Sequence, residues 1–478
     1  MPSNPVTEKS RNLIVVSNRL PLSIKPRGDG SYESSISSGG LVTSLSGLTK
    51  TTPFRWFGWP GLNPAKSEEK NEIRRSLGEH NAIPVFLDEK LAHEHYNGFS
   101  NAILWPILHY QSGVTFSEES WQAYCKVNEI FADTIAEAAG ENDLIWVHDY
   151  HLMLLPRMLR ERLMRMGKAA SIGFSLHTPF PAAQALRALP TEKEILEGML
   201  ASTLIGFHTE DYRQNFVSSC QQALGAQAQD STVLFKDRLV KTACFTVGID
   251  PQKFDETISK PEVGKRIDEL TEHYKGKKVV LGVDRLDYIK GLVHKLHGFE
   301  EFLQQYPEWI GKIVLIQVAV PSREDVKEYQ ELETEISCCV GKINGKYSTA
   351  EYTPIVYLHH SVPFPELCAL YSVADVCLLT STRDGMNLVA FEYVACQDDR
   401  AGVLVLSEFA GASAFMAPST VQFHPANMKE MSEALLRALN MPAEERKERQ
   451  KQLRAFIDAN TSAKWGSTFV EELSKRAR

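Results

Sequence analysis

The absences in this chain narrow its chemistry first. No two aspartates are separated by a single residue. That removes the Asp-x-Asp metal site of metal-dependent glycosyltransferases and the Asp-x-Asp nucleophile pair of haloacid-dehalogenase phosphatases. H-E-x-x-H, G-x-x-x-x-G-K-[ST] and a G-x-G-x-x-G after a strand are missing too, so zinc, Walker-loop and dinucleotide fingerprints are not expected. The eight cysteines include no C-x-x-C pair, and most sit in apolar segments, as Cys244, Cys377 and Cys396 do. Buried, reduced thiols of a cytosolic protein fit that usage better than disulfides. No apolar run approaches the roughly 18 residues of a spanning helix. The opening MPSNPVTEKSRN has no apolar core of the kind a signal peptide needs. Basic excess is lacking as well, since 52 Lys and Arg against 60 Asp and Glu give a net charge of −8. Sequence-independent phosphate binding needs a basic surface. Neither nucleic acid nor membrane is therefore expected as a partner, and the expected location is cytoplasmic.

What is present is a long alternation of short β-branched runs with helical patterns. The clearest strands are expected at 12–18, 143–149, 171–177, 203–208, 278–284, 312–320, 355–362, 374–381 and 401–407. Many are apolar throughout, as strands covered on both faces by helices are. That pattern predicts an α/β protein with parallel sheets, and too many strands for one open sheet. Two doubly wound, Rossmann-like domains are expected, with a ligand cleft between them. Gly248 and Pro251 punctuate the best hinge segment, FTVGIDPQKF. The expected divisions are 11–248, 249–450 and a helical segment 451–478 that packs back on the first domain. Residues 443–478 read as helix, with the charge run Glu444 to Arg454 on a solvated face.

Ligands of open α/β sheets bind beyond the carboxyl ends of the strands, so the residues that follow each strand are a functional census. Arg19 follows the first strand. His148, Asp149 and His151 follow the next, read as loop or cleft residues, and then come His177 and Thr178. Arg285 and Lys290 follow VVLGVD, Arg323 follows IQVAVPS, and TRDGMNLVAFE follows the strand at 374–381. A forked guanidinium and a mobile ammonium suit a desolvated diphosphate. Arg285 and Lys290 could equally pair with Asp284 and Asp287. Gly385 permits a tight turn before a helix from about Asn387, whose first N–H groups can face an anion. Asp384 and Glu392 bracket that helix start. They suit hydroxyl groups of a sugar and a ribose, or else Asp384 is a helix cap and Glu392 an exposed residue. Gly39 and Gly40 precede a helical pattern and would let backbone approach a phosphate.

These pieces in this order resemble the trehalose-6-phosphate synthase family, retaining glycosyltransferases of the two-Rossmann-domain (GT-B) type. The matching stretches are SNRLP (17–21), SSGGLV (37–42), HYNGFSNAILWP (95–106), WVHDYHLMLLP (146–156), FSLHTPFP (174–181), DRLDYIKG (284–291), VPSR (320–323) and TRDGMNLVAFEYVACQ (382–397). The resemblance implies transfer of glucose from UDP-glucose to C1 of glucose 6-phosphate, giving α,α-trehalose 6-phosphate and UDP. It implies retention by front-face attack, with the leaving phosphate taking the acceptor proton and no metal or other cofactor. Arg19, Tyr96, Trp105, Asp149 and Arg323 would form the acceptor site, with Trp105 and Thr178 selecting its anomer. Gly39, Gly40, Arg285, Lys290, Val362, Asp384, Gly385, Met386, Asn387, Leu388, Val389, Ala390, Phe391 and Glu392 would hold the donor. Arg285, Lys290, Asp149, His177 and Asp384 would carry the catalysis. A separate phosphatase is expected to release free trehalose, and regulatory subunits or a homo-oligomer stay open. The alternatives are a catalytically inactive sugar-phosphate sensor and a transferase for another nucleotide sugar.

Overall fold

Apolar runs become buried parallel strands in both halves of the chain. The structure is a computed structural model that describes residues 11–28, 31–36, 40–50, 52–323 and 326–476. Two units emerge, Met1–Thr246 with Ala463–Arg478, and Val247–Ser462.

The first unit is built on β1 (Leu13–Arg19), the hairpin β2 (Leu22–Pro26) and β3 (Tyr32–Ile36), β4 (Phe54–Trp59), β5 (Ala82–Pro84), β6 (Leu144–His148), β7 (Ser171–Ser175), β8 (Leu204–Phe207), β9 (Gln227–Gln229), β10 (Thr232–Phe235) and β11 (Arg238–Cys244). Its main sheet runs β5-β4-β1-β6-β7-β8-β11-β10-β9. All pairs are parallel except those made by β10. The strand order reverses between β1 and β6, which is the switch point of a doubly wound fold. The last helix, Ser462–Ser474, covers one face of this sheet. Phe469 stacks on Trp146 at 4.3 Å, and Trp465 lies 4.9 Å from the same ring. Gly173 makes the approach possible, because a Cβ there would come within 2.6 Å of Phe469.

The second unit contains β12 (Lys278–Arg285), β13 (Ile313–Val320), β14 (Ile355–Leu358), β15 (Val376–Leu379), β16 (Val403–Ser407) and β17 (Val421–Phe423), all parallel, in the order β14-β13-β12-β15-β16-β17. The reversal recurs between β12 and β15. Alternate residues feed two separate cores, one per sheet face. Val279, Leu281 and Val283 of β12 join Val314, Ile316 and Val318 of β13 in one core. Val280 joins Ile313, Leu315 and Ala319 in the other. That two-sided burial is why these strands show no polar alternation in sequence.

Three expectations need correcting. The single terminal helix is two, Ala443–Ala459 and Ser462–Ser474. The chain turns at Asn460 and Thr461, where the Ser462 N–H donates to the Ile249 carbonyl at 2.8 Å instead of continuing the helix. The strand expected at 355–362 stops at Leu358. Cys244 is exposed at the end of β11, its thiol donating to Glu210 Oε2 at 3.4 Å, whereas Cys377 and Cys396 are buried. No helix among the described residues is long and apolar enough to cross a membrane.

Close approach and open space give two glycines opposite expected signs. A Cβ on Gly248 would sit 1.7 Å from the Asn460 carbonyl oxygen, whereas one on Gly264, within the helix Pro261–His273, meets nothing within 4 Å. Gly248→Ala is expected to lose about 1–3 kcal/mol of unfolding free energy. Gly264→Ala is expected to gain about 0.5–1 kcal/mol. Urea melts of the two variants beside the parent check both signs.

Candidate functional site

At the first switch point, β1 ends in Arg19 and β6 runs out into Asp149. Register between these strands stops at Val16 and Val147, so their ends part. The Arg19 guanidinium lies over the Trp59 ring, 5.2 Å from its centroid, in space left by Gly61. Gly61 has φ +87°, and a Cβ there would fall 2.5 Å from Arg19 Nη2. Asp149 has φ 76° and ψ 169°, a region almost reserved for glycine. Its N–H donates to the Ser175 carbonyl at 2.8 Å, and its Oδ1 accepts the His177 N–H at 3.2 Å. A non-glycine residue held there by its neighbours marks a site where geometry outweighs stability.

Other residues singled out in sequence gather around the turn that follows. Tyr96 belongs to a wide π-helix, Glu94–Leu104, a form rare in general and frequent at functional sites. Its ring stacks on His151 at 5.6 Å and 9°. His95 Nε2 donates to the His151 carbonyl at 3.0 Å. Trp105 begins the next helical turn, 5.5 Å from Tyr150. Thr178 is buried, and its hydroxyl has no hydrogen-bond partner among the described residues. His148, read as a loop or cleft residue after the strand core, is the fully buried end of β6. Its Nδ1 lies 3.0 Å from His177 Nε2. Burial lowers the pKa of His148 well below the ordinary value, with His177 adding to the effect, and lowers that of His177 to about 4. His95, buried, is likewise lowered to about 4.

At the second switch point, β12 and β15 pair only through Val280–Val376 and Leu281–Cys377, then diverge. Arg285 ends β12 with its side chain 46% exposed, Nη2 lying 3.6 Å from Asp287 Oδ2. The neighbouring Asp284 is buried and bound to Lys295 Nζ, with Gln317 Nε2 donating to it at 3.1 Å. Its negative charge is therefore answered from inside the fold. Lys290 ends a short 3-10 turn, Tyr288–Lys290, and its ammonium contacts Asp384 Oδ2. Gly291, at φ +63°, lets the chain pass the Thr380 carbonyl, which a Cβ would meet at 2.2 Å. Thr380 Oγ1 in turn donates to the Lys290 carbonyl at 3.1 Å.

Gly385 and Met386 lead into the helix Leu388–Ala395. Its cap is Asn387, whose Oδ1 accepts the Val389 N–H at 2.9 Å, so Asp384 is not the cap. Ala390 and Phe391 bury into the core. Glu392 Oε2 accepts the Tyr371 hydroxyl at 2.8 Å, and burial raises the Glu392 pKa. Val362 sits in the loop after β14, partly buried against the core. Arg323, at φ +54°, has its side chain 3% exposed and belongs to this unit, with Nη1 3.2 Å from Asp287 Oδ2. Gly40 opens the helix Gly40–Thr49 in the first unit, and Gly39 lies outside the described residues. Sequence inspection offered Asp287 as a partner of Arg285 but missed that Arg323 shares it, and missed Tyr371 as the donor to Glu392. The DRLDYIKG stretch held the first signal, an acid between two cations.

A sequence model of glycosyltransferase family 20 matches residues 11–475. The chain belongs to that family. It is 53% identical over 471 residues to the Aspergillus niger protein named α,α-trehalose-phosphate synthase [UDP-forming] 2, covering 98% of each chain. An E. coli trehalose-6-phosphate protein solved with UDP-2-fluoro glucose is 33% identical, with a TM-score of 0.86 and coverage of 97% of this chain and 99% of that one. The N-terminal domain of Candida albicans trehalose-6-phosphate phosphatase is 30% identical, with a TM-score of 0.89 and coverage of 100% and 99%. The family-20 fold thus appears in proteins of two different names, and residues rather than fold must separate them.

Two outcomes follow from this geometry. Backbone strain at Asp149 makes Asp149→Gly more stable than Asp149→Ala by about 1–3 kcal/mol, the reverse of the usual order, as denaturant melts would show. His95 and His148, buried, and His177, partly buried, are neutral in the fold and protonated below about pH 6.5 when unfolded. The unfolded state then binds more protons, so stability is full above that pH and falls as pH drops from 6.5 toward about 4. His95→Asn should reduce the slope of unfolding free energy against pH in that window by up to about 1.4 kcal/mol per pH unit.

Proposed function

We propose that this family-20 chain transfers glucose from UDP-glucose to C1 of glucose 6-phosphate with retention, forming α,α-trehalose 6-phosphate and UDP. The observation that carries the reading is the placement of Arg285, Lys290 and a capped helix start at the β12/β15 switch point. Nucleotide diphosphates are bound at that location in doubly wound sheets. The Aspergillus niger relative's name and the E. coli protein's bound UDP-2-fluoro glucose support the donor and the product.

In this reading Arg285 and Lys290 hold the diphosphate and Glu392 takes the ribose hydroxyls. Val362 borders the base through its backbone, and Gly39 and Gly40 approach the donor phosphates. Asp384, oriented by Lys290 and by the Ser381 hydroxyl 3.3 Å away, accepts from the donor glucose together with His177. Arg19 and Arg323 take the 6-phosphate of the acceptor, Tyr96 and Asp149 its hydroxyls, and Trp105 with Thr178 its anomeric form. As the C1–O bond of the donor breaks, charge grows on the diphosphate. Preorganised cations and helix N–H groups stabilise that charge more than the ground state. The departing phosphate oxygen accepts the proton of the acceptor hydroxyl as that oxygen attacks C1 from the same face. Protein cations supply the charge stabilisation, so activity persists without added metal. The phosphate stays on the product, and a phosphatase acts on it next.

The alternative, a sugar-phosphate sensor without turnover, is not favoured by the relative's name. Both readings meet one experiment: UDP-glucose, glucose 6-phosphate and chelator, with UDP release followed and the sugar identified by NMR. UDP with an α,α-1,1-linked disaccharide phosphate is expected. Binding of both ligands without UDP release would establish the sensor instead. In the same assay Arg285→Ala and Lys290→Ala should each lower kcat by about 10²–10³.

A further inference from the structure

Asp287 lies between two arginines and is itself 0% exposed. Its Oδ2 is 3.2 Å from Nη1 of the buried Arg323 and 3.6 Å from Nη2 of the half-exposed Arg285. Its Oδ1 accepts the Ile289 N–H at 3.3 Å, capping the 3-10 turn that ends in Lys290. One carboxylate therefore touches two cations and orders the backbone that carries a third. Arg323 is gripped further by Tyr329, whose hydroxyl accepts from its Nη1 and whose ring lies 5.2 Å below the guanidinium. The backbone at Arg323 is left-handed, φ +54°. A non-glycine residue adopts that conformation when the surroundings over-determine it. A structural salt bridge would need one cation, and a buried carboxylate with a single partner would do. Here two guanidiniums share one acid.

We infer that Asp287 is a positioning residue shared by the donor and acceptor phosphate sites. It fixes Arg285 for the diphosphate and Arg323 for the sugar phosphate. This rests on the proposed transferase reading, in which those arginines meet different substrates. Asp287 touches neither substrate. Its effect appears only where a ligand carries phosphate.

The test compares each ligand with its phosphate-free counterpart. Inhibition constants for UDP and uridine, and binding constants for glucose 6-phosphate and glucose, are measured on the full chain and on Asp287→Asn. The preference for UDP over uridine and that for glucose 6-phosphate over glucose should both fall by at least about tenfold, the size of one charge-assisted contact. Uridine and glucose affinities should stay unchanged, which a general loosening of the fold would not allow. Retention of either preference, or equal weakening of the phosphate-free ligands, overturns the inference. Should Asp287→Asn fail to fold, Asp287→Glu keeps the charge and moves it by one methylene. Both preferences must then fall by a smaller factor, and unchanged preferences overturn the inference. A parent protein with no preference for UDP over uridine would refute the transferase reading itself.

Discussion

Divergence of neighbouring strands at two switch points is the constraint on which the rest of the structure depends. Parallel pairing holds β1 to β6 through Val16 and Val147, and β12 to β15 through only two residue pairs. Beyond those points each strand follows a different neighbour, and β12 continues along β13 to Arg285. Backbone groups at the parted ends meet loops and helix starts instead of another strand. Polar side chains such as Arg19, Asp149, Arg285 and Asp384 occupy those ends, while the same strands a few residues earlier are wholly apolar.

Once cations are gathered there, charge bookkeeping governs their surroundings. Asp284 next to Arg285 would repel an anion, and Lys295 answers it inside the fold. Lys290 is held by Asp384, whereas Arg285 and Arg323 share Asp287. Each cation is oriented by an acid. Unpaired burial of any one of these charges would be strongly destabilising. The pairing therefore removes that cost from the fold.

Backbone strain tells the same story in the first unit. Asp149 holds a conformation suited to glycine, and the wide π-helix before Trp105 is an irregularity of the same kind. Both bring side chains to the turn after β6, where Tyr96 stacks on His151. Buried neutral histidines beneath that turn, His95 and His148, make this part of the fold sensitive to acid.

By itself the sequence determined the class of fold, the buried strands and the strand-end cations, because apolar runs covered on both faces and charged residues directly after them leave a local pattern. The motifs in register were enough to place the chain near its family. Eight strands, β2, β3, β4, β5, β9, β10, β11 and β17, were not legible, since sheet neighbours rather than composition make them strands. The break at Asn460 was hidden for a similar reason: a backbone carbonyl 1.7 Å from where a Gly248 Cβ would lie is a contact across more than two hundred residues. Only the tertiary structure decided that Asn387 caps the helix, that His148 is buried against His177, and that Asp287 is shared by Arg285 and Arg323. Such pairings depend on distance in space, and a linear spacing of charges leaves every partner open.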